Sequence, residues 1–85
     1  MYELTIETEF FTFSDLSVLL KDGMTYELNE TGEEIIREII KGSSLDQIVK
    51  KLLDKFDANE RKILKDVEKF FQFLLEKGLI DKNEE

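Results

Sequence analysis

The chain has 85 residues and a formal net charge of −8, and it contains neither cysteine nor histidine. These absences exclude a disulfide and a thiolate zinc site and argue against most hydrolytic chemistries, because histidine is the commonest general base and metal ligand. With no cleavable signal and no apolar run near the roughly 20 residues of a membrane helix, we expect one small, soluble, cytoplasmic domain. We expect no metal site and no cofactor.

The negative charge is concentrated in the first 31 residues, which hold seven Asp or Glu side chains against Lys21 alone. That segment has a net charge of −6, which leaves −2 for the rest of the chain. Nucleic-acid affinity comes largely from clustered Lys and Arg, so an acidic N-terminal third argues against a nucleic-acid partner. Solubility explains the charge about as well as a specific partner does.

The N-terminal third alternates apolar and polar residues, which indicates strands. A short first strand or extended arm carries Tyr2, Leu4 and Ile6 within the acidic segment 1–15. The runs EFFTF and LSVLL follow, separated by Ser14 and Asp15, and a third run extends from Met24 to Leu28. We therefore predict an antiparallel three-stranded meander.

The connection before Met24 decides which side of this meander is apolar. A three-residue loop of Lys21, Asp22 and Gly23, with Gly23 left-handed, places every large apolar residue of the last two strands on one face. A two-residue turn of Asp22 and Gly23 divides them between the faces. Burial favours the three-residue loop. With a tight turn at Ser14 and Asp15, the predicted buried face then holds Phe11, Phe13, Leu16, Val18, Leu20, Met24, Tyr26 and Leu28, whereas Phe10 and Leu19 pair on the other face beneath the N-terminal arm.

Helical periodicity begins just after this meander. The first helix is predicted over 30–41, with Asn29 or Thr31 as N-cap and Gly42 past its end. The second is predicted over 45–56 after Ser43 or Ser44, and the third over 58–77 after a capping box of Asp57 and Glu60. The predicted buried faces contain Ile35, Ile36, Ile39 and Ile40; then Leu45, Ile48, Val49, Leu52, Leu53 and Phe56; then Ile63, Leu64, Val67, Phe70, Phe71, Leu74 and Leu75.

Phe73 lies outside the apolar arc of the third helix, rotated toward Lys62, Asp66, Lys69 and Lys77. We predict that Phe73 is a binding residue at the rim and that Phe70 and Phe71 are structural. Leu79 and Ile80 are expected to fold back as a hydrophobic end, and residues 81–85 to fray.

Several short motifs together resemble a known family. They are LN at 28 and 29, TG at 31 and 32, II at 35 and 36, GSSLDQI from 42, Phe56, and DVEKFFQFLLEKGLI from 66 to 80. Their order and spacing resemble the PqqD family, whose members are also called RiPP recognition elements. Such proteins bind the leader of a ribosomally made precursor peptide and present it to a modifying enzyme.

The resemblance implies an α+β, winged-helix-like fold in which a three-stranded meander packs against three helices. It also implies a single non-catalytic peptide-binding domain, with a precursor leader peptide and a modifying enzyme such as a radical-SAM enzyme, peptidase or cyclase as partners. The leader would add as a strand beside the third strand of the meander, in a groove walled by the third helix. The implied peptide-binding residues are Met24, Thr25, Tyr26, Glu27 and Leu28 in the strand and Lys62, Asp66, Lys69, Phe70, Phe73 and Lys77 in the helix.

Two other classes remain open from the residues alone. Ser44, Leu45 and Asp46 open a helix much as the phosphopantetheine serine of an acyl carrier protein does, with Ser44 as the attachment site. The order of three helices also suits a winged-helix nucleic-acid binder, although the third helix mixes acidic with basic side chains. For Tyr26 and Phe70, an ordinary core position is the competing interpretation.

Overall fold

The strands and helices of the computed structural model, which describes residues 1–82, follow the predicted order up to the end of the third helix. They are β1 (Tyr2–Leu4), β2 (Glu9–Phe13), β3 (Leu16–Lys21), β4 (Met24–Leu28), α1 (Glu30–Lys41), α2 (Leu45–Lys55), α3 (Glu60–Glu76) and β5 (Ile80–Lys82). Strands β2, β3 and β4 form an antiparallel sheet in that order, and the three helices follow. The predicted α+β class with an N-terminal meander is confirmed.

The two ends of the described chain pair with each other, which the sequence pattern did not predict. β1 and β5 form an antiparallel ribbon in which Tyr2 lies opposite Lys82 and Leu4 opposite Ile80. The prediction that the chain frays from Asp81 is therefore wrong for Asp81 and Lys82, and residues 83–85 lie outside the described part. Leu79 and Ile80 are buried as expected. Because these two residues are buried, the chain end lies beside β1 and pairs with it as a strand.

The β2–β3 hairpin has the predicted tight turn at Ser14 and Asp15, which places Phe11 opposite Val18 and Phe13 opposite Leu16. The predicted three-residue loop between β3 and β4 is wrong. Lys21 lies directly opposite Met24, so the turn consists of Asp22 and Gly23 alone, with φ angles of 51° and 77°. Two successive positive φ values are typical of the type I′ turn, which matches the twist of a hairpin and favours the pair Asp-Gly.

This register reverses the predicted faces of the sheet. Leu19 is fully buried, and Tyr26 and Leu28 share its inner face toward the helices. The apolar residues predicted to be buried in β2 and β3 instead point outward: Phe11, Phe13, Leu16, Val18 and Leu20. Because both faces carry apolar side chains, the alternation identified the strands correctly but assigned the wrong face to the core.

The Asp22–Gly23 turn yields a stability prediction. A Cβ at Gly23 would meet no atom within 4 Å, so a substitution there changes the backbone conformation and no packing contact. We expect Gly23→Val to lower the free energy of unfolding by more than about 1 kcal/mol, since a β-branched residue is strained at positive φ. Gly23→Asn is the control, because asparagine tolerates this region. Equal urea midpoints for the valine variant and the wild type would contradict the turn geometry.

The helix boundaries agree closely with the sequence-based expectations. α1 has the predicted bounds, with Asn29 as its N-cap through a 2.8 Å bond from the Gly32 N–H to Asn29 Oδ1. α2 begins after Ser44 and ends one residue before the predicted end. α3 begins at Glu60 because Asn59, and not Asp57, accepts a hydrogen bond from the Lys62 N–H. The predicted Asp57–Glu60 capping box is wrong.

The core lies between the inner face of the sheet and the facing sides of the three helices. Its buried apolar residues are Leu19, Leu28, Ile35, Ile36, Ile39, Ile48, Leu52, Ile63, Val67, Phe71, Leu74, Leu79 and Ile80. Four helix residues predicted to be buried are exposed: Ile40, Leu45, Leu64 and Leu75. The apolar arc of each helix is wider than the strip that neighbouring elements cover. The helix residues at the margins of the arc therefore stay in contact with solvent. Met24 of β4 was also predicted to be buried and is 57% exposed, because it lies beside the turn at the margin of the sheet.

Candidate functional site

β4 is an edge strand of the meander, since β3 is its only strand partner in the described chain. In a two-residue hairpin the pair beside the turn exchanges both backbone hydrogen bonds, and bonded and non-bonded pairs alternate beyond it. The bonded pairs are then those of Met24, Tyr26 and Leu28 with β3. The N–H and C=O groups of Thr25 and Glu27 consequently point to the open edge, where another strand can pair with them.

Aromatic contacts join β4 to α3. The Tyr26 ring meets the Phe73 ring edge to face, with centroids 5.7 Å apart. Phe73 in turn stacks on Phe70 at 6.2 Å with an interplanar angle of 20°. Tyr26, Phe70 and Phe73 are each half-buried, so they are neither core residues nor free surface residues. Phe70 was expected to be a buried structural residue, and it is instead half-buried. Phe71 is buried as predicted.

A cleft of ≈ 370 Å³ opens between the start of α1 and the middle of α3. Its apolar wall combines Ile35 with the two stacked phenylalanines, and its rim is polar. The lining residues are Asn29, Thr31, Gly32, Ile35, Asp66, Lys69, Phe70 and Phe73. The four from α3 were predicted as site residues. The four around the start of α1 were missed, although LN and TG were among the motifs that carried the family resemblance.

Gly32 keeps this cleft open. A Cβ at this position would lie 3.2 Å from both Asn29 Oδ1 and the Cζ of Phe70. Any side chain there would therefore push against the N-cap of α1 and against the aromatic wall of the cleft. Glycine is otherwise among the least favourable residues in a helix. The close approach of the Phe70 ring explains why a glycine occupies position 32.

A hydrogen-bond network fixes the start of α1 against the sheet. Ser17 Oγ donates to Glu33 Oε1 at 2.6 Å, and Arg37 Nε donates to Glu33 Oε2 at 3.0 Å. The Ser17 hydrogen bond, followed by that of Arg37, holds the pKa of Glu33 below its ordinary value. Glu33 therefore stays ionised near neutral pH and connects the inner face of β3 to the helix whose first turn borders the cleft.

The predicted charged site residues have different environments. Lys62 Nζ lies 3.4 Å from Asp66 Oδ2 in an exposed ion pair. Lys69 lines the cleft and has no ion-pair partner within 4.0 Å among residues 1–82. Lys77 is exposed at the C-cap of α3 and does not line the cleft. The structure thus brings Lys69 to the cleft beside the β4 edge and leaves Lys77 outside it.

The environment of the α3 phenylalanines predicts unequal effects on stability. Phe71 is buried and its ring packs edge to face against Tyr2 at 4.9 Å. We expect Phe71→Ala to reduce the free energy of unfolding by about 3–5 kcal/mol, as core aromatic truncations do. Phe73→Ala is expected to reduce it by about 1 kcal/mol, because its ring is only half-buried. Chemical denaturation of both variants measures the difference, and a Phe73→Ala loss as large as that of Phe71→Ala would refute the rim assignment.

The serine behind the acyl-carrier interpretation has a structural role. Ser44 forms the N-cap of α2, where its Oγ accepts from the Gln47 N–H and the Gln47 side chain accepts from the Ser44 N–H. Strands occupy the segment where an acyl carrier has its long first helix.

None of the helices within residues 1–82 combines the length and the apolar character that a membrane span requires. Residues 1–82 also contain no cluster of three or more His, Cys, Asp or Glu side chains arranged to hold a metal ion.

The open edge of β4 leads at Asn29 into the cleft between α1 and α3, and an α+β domain with an open sheet edge has the geometry to which an extended peptide can add as a strand. The family comparison makes the assignment more specific. The chain belongs to the PqqD family, described as coenzyme PQQ synthesis protein D, which matches residues 16–80. The resemblance drawn from the sequence motifs is confirmed.

Two solved structures share this fold over nearly the whole chain. One is TbiB1 in complex with the TbiA(beta) leader peptide, with a TM-score of 0.87 and 19% identity, over 98% of this chain and 99% of that one. The other is lasso peptide synthetase B1 complexed with the leader peptide, with a TM-score of 0.86 and 20% identity, over 95% of this chain and 98% of that one. No curated protein sequence matches the chain.

Proposed function

We propose that this protein binds the leader of a ribosomally synthesised precursor peptide as a strand added to β4, and presents it to a modifying enzyme without catalysing a reaction itself. The observation that carries the proposal is the open edge of β4 beside α3, with the cleft at its end. Membership of the PqqD family supports it, as does the likeness to two proteins whose structures contain leader peptides.

The energetics indicate where the affinity must arise. A backbone hydrogen bond contributes a net of about 0.5–1.5 kcal/mol, whereas ordering a flexible residue costs about 1–2 kcal/mol. Strand addition alone therefore roughly breaks even. Burying one or two apolar side chains of the peptide contributes about 1.5–3 kcal/mol each, so these anchors decide the affinity.

We assign the anchor position to the cleft beside the β4 edge. Ile35, Phe70 and Phe73 offer an apolar wall, and Tyr26 extends this wall toward the strand. Lys69 supplies a positive charge at the rim for an acidic residue of the leader, and Lys77 is a more distant candidate. These exposed attractions are screened beyond about 8 Å at physiological ionic strength, so they contribute less than the apolar anchor.

Hydrogen exchange of β4 tests the proposal. Synthetic leader peptides are titrated into the labelled protein, and amide exchange is followed by NMR. We expect the outward amides of Thr25 and Glu27 to exchange quickly in the free protein and slowly in the complex, because only a paired strand removes them from water. The Thr12 amide on the opposite edge of the sheet serves as the internal control. Protection confined to α2, with Met24–Leu28 unchanged, would rule out strand addition even if the peptide bound tightly.

A further inference from the structure

The outer face of the meander carries an apolar patch that no other element among residues 1–82 covers. We define the outer patch as Phe11, Phe13, Leu16, Val18 and Leu20, which alternate along β2 and β3 and meet as cross-strand neighbours. Phe13 is 68% exposed, Phe11 44% and Leu16 36%. Exposed apolar residues are ordinary when scattered, but a contiguous group that includes two aromatic rings is typical of an interaction surface.

The border of the outer patch is acidic. Glu9 and Glu27 share the patch face of the sheet, opposite Leu20 and Val18 respectively, and Asp15 and Asp22 occupy the two hairpin turns. No Lys or Arg occupies an outward position in β2, β3 or β4. Lys21 belongs to the inner set, and its Nζ donates to the carbonyl oxygen of Gly78 at 2.7 Å. The patch is thus surrounded by four carboxylates with no cation among the outward residues of these strands.

This charge pattern discriminates among possible occupants. A second copy docked through the same face would bring two acidic borders together, and like charges placed opposite each other oppose association. An anionic lipid surface and a nucleic-acid backbone are repelled for the same reason. We infer that the outer patch docks a second protein that presents an apolar surface bordered by Lys and Arg.

The outer patch also lies on the sheet that an added strand would extend. A peptide paired with β4 would direct alternate side chains to the same outer face, next to Thr25 and Glu27. A protein seated on the outer patch would then contact that peptide as well. If the proposed leader binding holds, the docked protein is the modifying enzyme, and the two surfaces together place the precursor before it.

The probe is a purified candidate modifying enzyme, chosen from the products of the neighbouring genes, and it is measured with and without its precursor peptide. The main variant is Phe11→Ser combined with Phe13→Ser. The control is Leu64→Ser combined with Leu75→Ser, which removes two similarly exposed apolar residues from the groove between α2 and α3. We expect the main variant to bind the enzyme at least tenfold more weakly and the leader within twofold of wild type, and the control to bind both normally.

A charge variant keeps the test decisive if the serine variant folds poorly. Glu9→Lys combined with Asp15→Lys alters only the border, and we expect it to weaken enzyme binding at least fivefold at low salt. Unchanged enzyme affinity in both variants, or no enzyme binding by the wild type, overturns the inference. So does a parallel loss of leader binding, or a wild-type dimer that the serine variant converts to monomers. Failure of the wild type to bind leader would instead refute the proposed function, while enzyme binding without peptide still tests the outer patch.

Discussion

Proline at Thr25 or at Glu27 is expected to weaken leader binding by more than about tenfold while the protein stays folded. Each N–H points to the open edge of β4, so its loss breaks no hydrogen bond within the sheet. In the complex, however, the substitution removes a backbone bond of about 0.5–1.5 kcal/mol, and the proline ring occupies the space of the added strand. Fluorescence anisotropy of a labelled leader measures the affinity, and circular dichroism verifies the fold.

The opposite edge of the same sheet offers a matched control. The pairing of β2 with β3 directs the N–H of Thr12 outward, and Thr12 is exposed. Thr12→Pro therefore introduces the same chemical change at an edge that faces neither α3 nor the cleft. We expect this variant to bind leader as the wild type does. Equal weakening by all three prolines would mean that the meander responds as a whole, and would contradict a specific role for the β4 edge.

Leu19→Ala is expected to lower the free energy of unfolding by about 2–5 kcal/mol, whereas Leu16→Ala lowers it by less than about 1 kcal/mol. The two substitutions delete the same atoms from residues of one strand. Leu19 is completely buried against the helices, whereas Leu16 is 36% exposed on the outer face. Removing Leu19 leaves a cavity in the core, but water already contacts the atoms removed from Leu16.

Urea denaturation of both leucine variants measures this difference directly. The midpoints are compared at constant m-value, so that each shift reports stability and not a change in the compactness of the unfolded chain. The reverse order of stability would require the three-residue loop and its inverted faces. Leu20→Ala provides a further check, because Leu20 belongs to the outer patch and is expected to resemble Leu16.

The local sequence predicted the helices well because their signals are local. The apolar period of α1, the asparagine before it and the glycine after it all lie within one short segment, and its predicted bounds are confirmed. The error at α3 was also local. Asn59 and Asp57 are both good N-caps. The choice between them depends on the backbone path of the segment that connects α2 to α3.

The candidate site was only partly accessible from the sequence. Phe73 was separated from the core arc by its angle on the helical wheel, and the structure indeed leaves it half-buried against Tyr26. The contributions of Asn29, Thr31 and Ile35 depend on how α1 approaches α3. No sequence period reports that approach, because it results from packing between two helices whose cleft-lining residues, Ile35 and Asp66 at the nearest, are 31 positions apart along the chain.

The sequence by itself determined the order of the elements from β1 to α3, the helix positions and a strand that ends where α1 begins. It also contained the Asp-Gly pair, which is a strong local signal for a two-residue turn. The expectation that all large apolar residues share one buried face favoured a three-residue loop instead, and that expectation was wrong. Only the tertiary structure decided which face of the meander is buried, because apolar residues occur on both. The three helices cover the face of Leu19, Tyr26 and Leu28 and leave the outer patch to solvent. The period of two specifies that the faces differ, whereas the packing of the helices selects the one that becomes core.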